Sequence, residues 1–282
     1  MKILYIAELV GKPGIYCARK TLAPLKAATG ADAVIVCADS ATNGSGLGRR
    51  HAGFIRKLGV DIITLGDQCF YKKDLVADFS AVPYVLRPHN LGTISPGKGI
   101  RIFNVKAERN GASVPQKLAV VVLLGQTMLS KIHADNPYAM LRTLLEELRA
   151  QTPYIVLDFH AAATAEKRTL FAMADGFCGA VIGSHTRVAT ADAAVLPGGT
   201  AVITDAGRTG SQISVGGNEA ASRIQEYLSG IPDWTRESWE GLETRGVLVE
   251  LAEDGKANSI VPIRVPVANQ PDFAQIHLDS DI

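Results

Sequence analysis

Five apolar runs of this chain each end in residues able to bind a metal or carry a proton. Glu8 follows KILYIA, Asp39 and Ser40 follow DAVIVCA, and Asp67 and Gln68 follow VDIITLG. Asp158 and His160 close PYIVLDFH, and His185 and Arg187 follow GAVIGS. Carboxylates and imidazoles delivered together are the donor set of a divalent transition metal. Each residue alone has a plainer use, since an Asp after a strand often caps the next helix and a strand-end His often serves as a buried hydrogen-bond donor. It is the repetition that points to a metal. One position resists the pattern: in VIGSHTRVATAD an arginine stands two residues after His185, where a second imidazole would make a metal clip. A guanidinium keeps its proton and is not a ligand.

The elements that must position these groups are legible as alternation. LAVVVLLG and TAVITDAG add two further apolar runs, and runs of this length suit strands buried on both faces. Between them lie helical patterns, CARKTLAPLKAATG and NPYAMLRTLLEELRAQT, the second with Asn136 as N-cap and Pro137 at the first helical position. GVLVELAEDGKANSIVPIRVPV reads as a hairpin turning at Asp254 and Gly255. The expectation is a layered α/β fold, a β-sheet core flanked by helices, in a single domain over residues 1–282. Reactive groups in such folds collect at the carboxyl edge of the strands.

Composition narrows the function. The chain has 282 residues, 47% hydrophobic and 20% charged, with Lys+Arg 29 against Asp+Glu 28 and a net charge of +1. That balance gives no electrostatic footprint for a nucleic-acid polymer or a membrane surface. Cys17, Cys37, Cys69 and Cys178 form no C-x-x-C pair, and the apolar start stops at Glu8, too short for a leader or a span. A cytoplasmic protein with reduced thiols is expected. Gly44, Gly46 and Gly48 in NGSGLGRR are spaced as a site-bordering loop, not a dinucleotide fingerprint. Cys69 reads as a buried filler thiol, and His51, His133 and His277 fall where nothing suggests a site.

The segments AELVGKPG, GDQCFYKKD, RPHNLG, SPGKGI, DFHAAATAEK, GSHTRVATAD and LPGGTAVITDAGRTG occur in one order from Met1 to about Val267. In them the chain resembles the YmdB-like metallophosphoesterases, a branch of the calcineurin-type phosphoesterase superfamily. The resemblance implies a calcineurin-like fold and hydrolysis of small phosphodiesters or nucleotides, cyclic ones included, at paired metal ions. It also implies a homo-oligomer. The family's ligand positions fall on Glu8, Asp39, Asp67, His160 and His185, with Arg187 at the last histidine. Several differ in type. Glu8 stands for an Asp, Asp39 and Ser40 for Glu-Asn, and Asp67 for an Asn. Gln68 replaces the histidine that protonates the leaving group, and Ala162 replaces a Glu.

The expectation that follows is one Fe, Mn or Zn ion on Asp39, Asp67, His160 and His185. The second ion's position is taken by Arg187 paired with Glu8. One divalent ion plus Arg187 balances the charges of Glu8, Asp39 and Asp67. His89, in RPHN, is the candidate to replace the acid missing at Gln68. Activity is expected to be weak or altered; a metal-free, catalytically inactive relative with a regulatory or binding role is the alternative.

Overall fold

The computed structural model describes residues 1–109, 112–129, 132–232 and 235–267; His277 lies outside them. In chain order the elements are β1 Lys2–Ile6, β2 Glu8–Leu9, α1 Gly11–Thr29, β3 Ala33–Cys37, α2 Arg49–Lys57, β4 Ile62–Thr64, α3 Lys73–Ala77, β5 Val85–Leu86 and β6 Ile100–Arg109. They continue with β7 Ala112–Leu124, α4 Pro137–Arg149, β8 Tyr154–His160, α5 Thr164–Ala174, β9 Ala180–Ser184, β10 Ala194–Val195 and β11 Ala201–Ile203. The last are β12 Arg208–Ser211, α6 Ala220–Ser229, β13 Leu242–Leu251 and β14 Ala257–Pro266.

The strands form two sheets. One runs β2-β12-β13-β1-β3-β4-β5 with β14 beside β13, and the other runs β10-β11-β9-β8-β7-β6. Alternation along each strand explains how they stack. Ile3, Tyr5 and Ile35 from the first sheet share a buried layer with Leu118, Val120, Val122, Val156 and Ile182 from the second. Their neighbours face outward: Leu4, Ile6, Val34 and Val36 meet Ile15, Ala18 and Leu22 of α1. On the far side Val121, Ile155, Leu157 and Phe159 meet Leu141, Leu145, Leu170 and Phe171 of α4 and α5. Runs that are apolar at every position are the consequence of cover on both faces. Truncating one such Leu to Ala costs about 2–5 kcal/mol.

Each predicted run is a strand, and α4 starts where predicted, with Asn136 Oδ1 accepting the N–H groups of Tyr138 and Ala139. The hairpin turns as expected: Gly255 takes φ 86° and Lys256 N–H donates to Asp254 Oδ1 at 2.9 Å. The expected β-sheet core flanked by helices is a sandwich of two sheets, with β13 and β14 antiparallel beside β1 in one and β6 antiparallel to β7 in the other. One feature differs from expectation. Helix α1 begins at Gly11, six residues before CARKTL, with Lys12 N–H donating to Glu237 Oε2, a partner 225 residues away that no local pattern signals. Among the described residues no helix is long and apolar enough to cross a membrane.

Candidate metal centre

Strands β1, β3 and β4 run parallel, as do β7, β8 and β9, so their carboxyl ends face one edge of the sandwich. Asp67, His160 and His185 meet there. His160 Nε2 lies 2.9 Å from Asp67 Oδ1, and His185 Nδ1 lies 3.0 Å from His160 Nε2 and 3.3 Å from Asp67 Oδ1. Ligand atoms around a tetrahedral zinc ion, on bonds of about 2.0–2.1 Å, stand about 3.3 Å apart. Two imidazole nitrogens and one carboxylate oxygen at these separations fit a single borderline cation such as zinc, manganese or iron. Gly66 makes the approach feasible, since a Cβ at that position would overlap the His160 ring.

His160 is aimed by a chain of hydroxyls buried between the sheets. Alternation along β8 turns Val156, Asp158 and His160 toward the first sheet, where Tyr5 of β1 and Thr64 of β4 donate to Asp158 Oδ2 at 2.7 and 2.5 Å. Ser184 of β9 donates its one proton to Asp158 Oδ1 at 2.7 Å. Its oxygen, 3.0 Å from His160 Nδ1, therefore accepts from that ring nitrogen. Nδ1 carries a proton, and Nε2 faces Asp67 and His185. This is the outer support that metal-binding histidines require. Sequence reading missed Tyr5, Thr64 and Ser184. The available signal was an Asp inside an apolar run, two residues before His160 and so on its face.

Glu8 is only 1% exposed and sits on β2, in register with Arg208 of β12. Its Oε1 accepts from Arg187 Nε at 3.0 Å and from Ser40 Oγ at 2.5 Å, and Arg187 Nη2 also donates to Ser40 Oγ. Arg187 Nη1 donates to the Gly216 carbonyl at 3.0 Å. Glu8 Oε2 is buried and has no hydrogen-bond partner among the described residues. A guanidinium is not a metal ligand, so this half offers an ion only the Glu8 carboxylate and the Ser40 hydroxyl. Arg187 adopts φ 61° and His185 φ 95°, left-handed conformations that cost about 1–3 kcal/mol each and need outside support.

Asp39 lies between the halves, fully buried, 3.7 Å from His160 Nε2. Its oxygens accept the N–H groups of Gly66 at 2.6 Å and Gln68 at 3.1 Å, so the converged donor set is three groups, with Asp39 at its margin. Burial, reinforced by the charges of Asp67 and Glu8, raises the Asp39 pKa to about 7. Burial alone would lower His160, but the Asp67 hydrogen bond and the Asp39 charge outweigh it and push its pKa up to about 9. Asp67 is likewise opposed by burial, yet hydrogen bonds from His160 and His185 hold its carboxyl well below the usual range. Proton and metal thus compete for Nε2.

Three other expectations have definite locations. Gln68 faces the glycine loop: its Oε1 accepts from Gly46 N–H at 3.1 Å, and that loop closes on Thr42, which accepts from Gly48 N–H at 2.7 Å. His89 is not brought to the cluster. Its N–H donates to the Val122 carbonyl, and the charges acting on its ring are Arg87 and Glu147, the second of them on α4. Cys69 is buried, and burial drives its thiol far up, which suits a filler and not a nucleophile.

A two-sheet sandwich with a cluster that could hold a metal at its carboxyl edge is the calcineurin-like metallophosphoesterase architecture. The chain belongs to the YmdB-like protein family, which matches residues 4–263. It is 37% identical over 232 residues, 82% of this chain and 84% of the relative, to a 2',3'-cyclic-nucleotide 2'-phosphodiesterase of Bacillus subtilis (strain 168). A crystal structure of a novel phosphatase from Mycoplasma pneumoniae superposes with TM-score 0.85 at 29% identity, covering 99% of this chain and 98% of that one. A 5'-nucleotidase precursor from Thermus thermophilus, at 10% identity and TM-score 0.53 over 95% of this chain and 54% of that one, shares the fold alone.

Proposed function

We propose that this chain, as one metallophosphoesterase-like domain, hydrolyses small phosphodiesters, cyclic nucleotides among them, with a single divalent ion. Asp67, His160 and His185 hold the ion beside Asp39, and Arg187 stands as a fixed cation in place of a second one. The observation that carries this reading is the division of the cluster: metal-type donors converge in one half, and a guanidinium fills the other. The activity named for the Bacillus subtilis relative supports the substrate class. Four free, buried cysteines are consistent with a reducing cytoplasm.

When bound, the ion supplies Lewis-acid polarisation of the phosphoryl oxygen and a nucleophile at neutral pH. The protein's own groups do the rest. Arg187 has five N–H donors, of which three are engaged by Glu8, Ser40 and Gly216, leaving one on each terminal nitrogen for a phosphate oxygen. Its side chain is 18% exposed, so the guanidinium is not sealed from solvent. Glu8 and Ser40 fix the plane of the guanidinium, giving the fork its orientation before substrate arrives. Ser184 holds the His160 proton at Nδ1. Gln68 cannot donate a proton to a leaving group, so an unactivated alkoxide departs about 10²–10⁴-fold more slowly than from a site with an acid.

The test compares a bis-aryl phosphodiester with a 2',3'-cyclic nucleotide at saturating Mn2+. Measurable turnover of the first is expected, with the second slower, because only the aryl leaving group departs without a proton. Absence of turnover on both, above a protein-free blank, overturns the reading. The amide at Gln68 and the closed Glu8–Arg187 pair also favour a second reading, an inactive relative that binds nucleotide for regulation; that reading requires nucleotide binding without turnover.

A further inference from the structure

The turn that delivers His185 and Arg187 holds both in left-handed conformations, at φ 95° and 61°. Side chains of this size rarely sit there unaided. Thr186, between them, is gripped by both of its donors. Its N–H donates to Asp205 Oδ2 at 2.9 Å and its Oγ1 donates to the same oxygen at 2.6 Å. Lys167 Nζ, on α5, donates to that oxygen at 2.9 Å, and both side chains of this pair are 0% exposed. Asp205 Oδ1 accepts from Gly207 N–H at 2.8 Å, and the Asp205 carbonyl accepts from Thr190 N–H at 3.0 Å. One carboxylate thus ties α5, the loop after β11 and the turn at 185–190 together.

We infer that the Lys167–Asp205 pair is the positioning device of the site, setting His185 against Asp67 and Arg187 against Glu8 through Thr186. The hydrogen bonds of the Lys167 and Asp205 side chains go to each other, to Thr186 and to Gly207, not to Asp67, His160 or His185. A buried ion pair gains little net stability over apolar residues of the same size, so stability alone does not account for it. An ionised carboxylate is, however, the acceptor best able to hold several donors at once. Two of the three donors on Asp205 Oδ2 come from the one residue that separates the site's two functional side chains. The metal arm of this inference rests on the one-ion reading above; the backbone arm rests on the geometry of the turn.

Thr186→Val removes the hydroxyl donor while keeping the shape, and Thr186→Ser restores the hydroxyl. Lys167→Met with Asp205→Asn removes both charges without stranding one. The probes are Co2+ titration, read by its visible absorption, and backbone hydrogen exchange over residues 184–190. Thr186→Val is expected to weaken Co2+ binding about tenfold or more, as outer-support losses do. It should also change the Co2+ spectrum and speed exchange at Thr190, with a melting temperature close to the parent's. Thr186→Ser should restore all three, and the double variant, if folded, should exceed Thr186→Val. Parent-like Co2+ affinity, spectrum and exchange in Thr186→Val would overturn the inference. If the parent takes up no Co2+, the one-ion reading falls, and exchange alone decides: faster in Thr186→Val supports the clamp, unchanged overturns it.

Discussion

The two halves of the strand-edge cluster satisfy their carboxylates, half-buried Asp67 and buried Glu8, by different means. In one, Asp67 faces two imidazoles, each with a nitrogen that can give up a proton and take a metal. In the other, Glu8 faces a guanidinium whose nitrogens only donate. The backbone frame is shared, since both carboxylates follow parallel strands and both His185 and Arg187 sit on the turn after β9, with His160 reaching Asp67 from the end of β8. What differs is whether the cation can exchange. Arg187 fixes the geometry of one half, and the proposed function leaves the other half to a proton or an ion.

The largest effect should come from breaking the exchangeable half. His160→Ala removes the donor that touches both other ligands and is expected to lower metal affinity by about 10³-fold, beyond the about 10–100-fold typical of outer partners. Metal content after dialysis measures it. Next is the fixed half. Arg187→Met strands a Glu8 carboxylate that is 1% exposed, which should destabilise the protein by about 3–5 kcal/mol, whereas Glu8→Gln with Arg187→Met should recover most of that loss. Urea unfolding of the single and double variants gives the numbers.

Ser184→Ala is expected to leave the fold intact and weaken metal binding by about 10–100-fold, because His160 Nδ1 loses its acceptor. Retained affinity would mean that the hydroxyl chain to Asp158 does not aim the ring. The smallest effect is on pH. The folded pKa of His160 is raised from 6.5 to about 9, so its contribution is complete below 6.5 and lost as pH climbs through 9. Asp39, raised from 3.8 to about 7, also favours the protonated folded state and loses that contribution as pH rises through 7. Both signs agree. The metal-free protein should melt at progressively lower temperature as pH is raised from 6.5 to 9, and saturating metal should flatten the slope.

The strands were legible because sandwich burial writes continuous apolar runs, and the candidate ligands could be named because parallel strands bring their carboxyl ends to one edge. Glu8, Asp39, Asp67, His160, His185 and Arg187 fall at that edge. The division into two sheets was not legible, since a strand buried on both faces reads the same whether its cover is a helix or a second sheet. Nor were Ser184, Lys167 and Asp205. Their roles depend on pairings across 26, 38 and 19 residues, to Asp158, Asp205 and Thr186, that no local pattern records. A strand-end position likewise does not tell that the charges acting on His89 are Arg87 and Glu147.

The most direct test of the division is metal stoichiometry. Elemental analysis of the protein saturated with Mn2+ or Zn2+ and freed of excess should find one ion per chain. The triple variant Glu8→Asp, Gln68→His, Arg187→His should approach two and gain phosphodiesterase activity. Two ions in the parent, or a folded triple variant that binds no more metal than the parent, would contradict the account in which Arg187 occupies the place of a second metal.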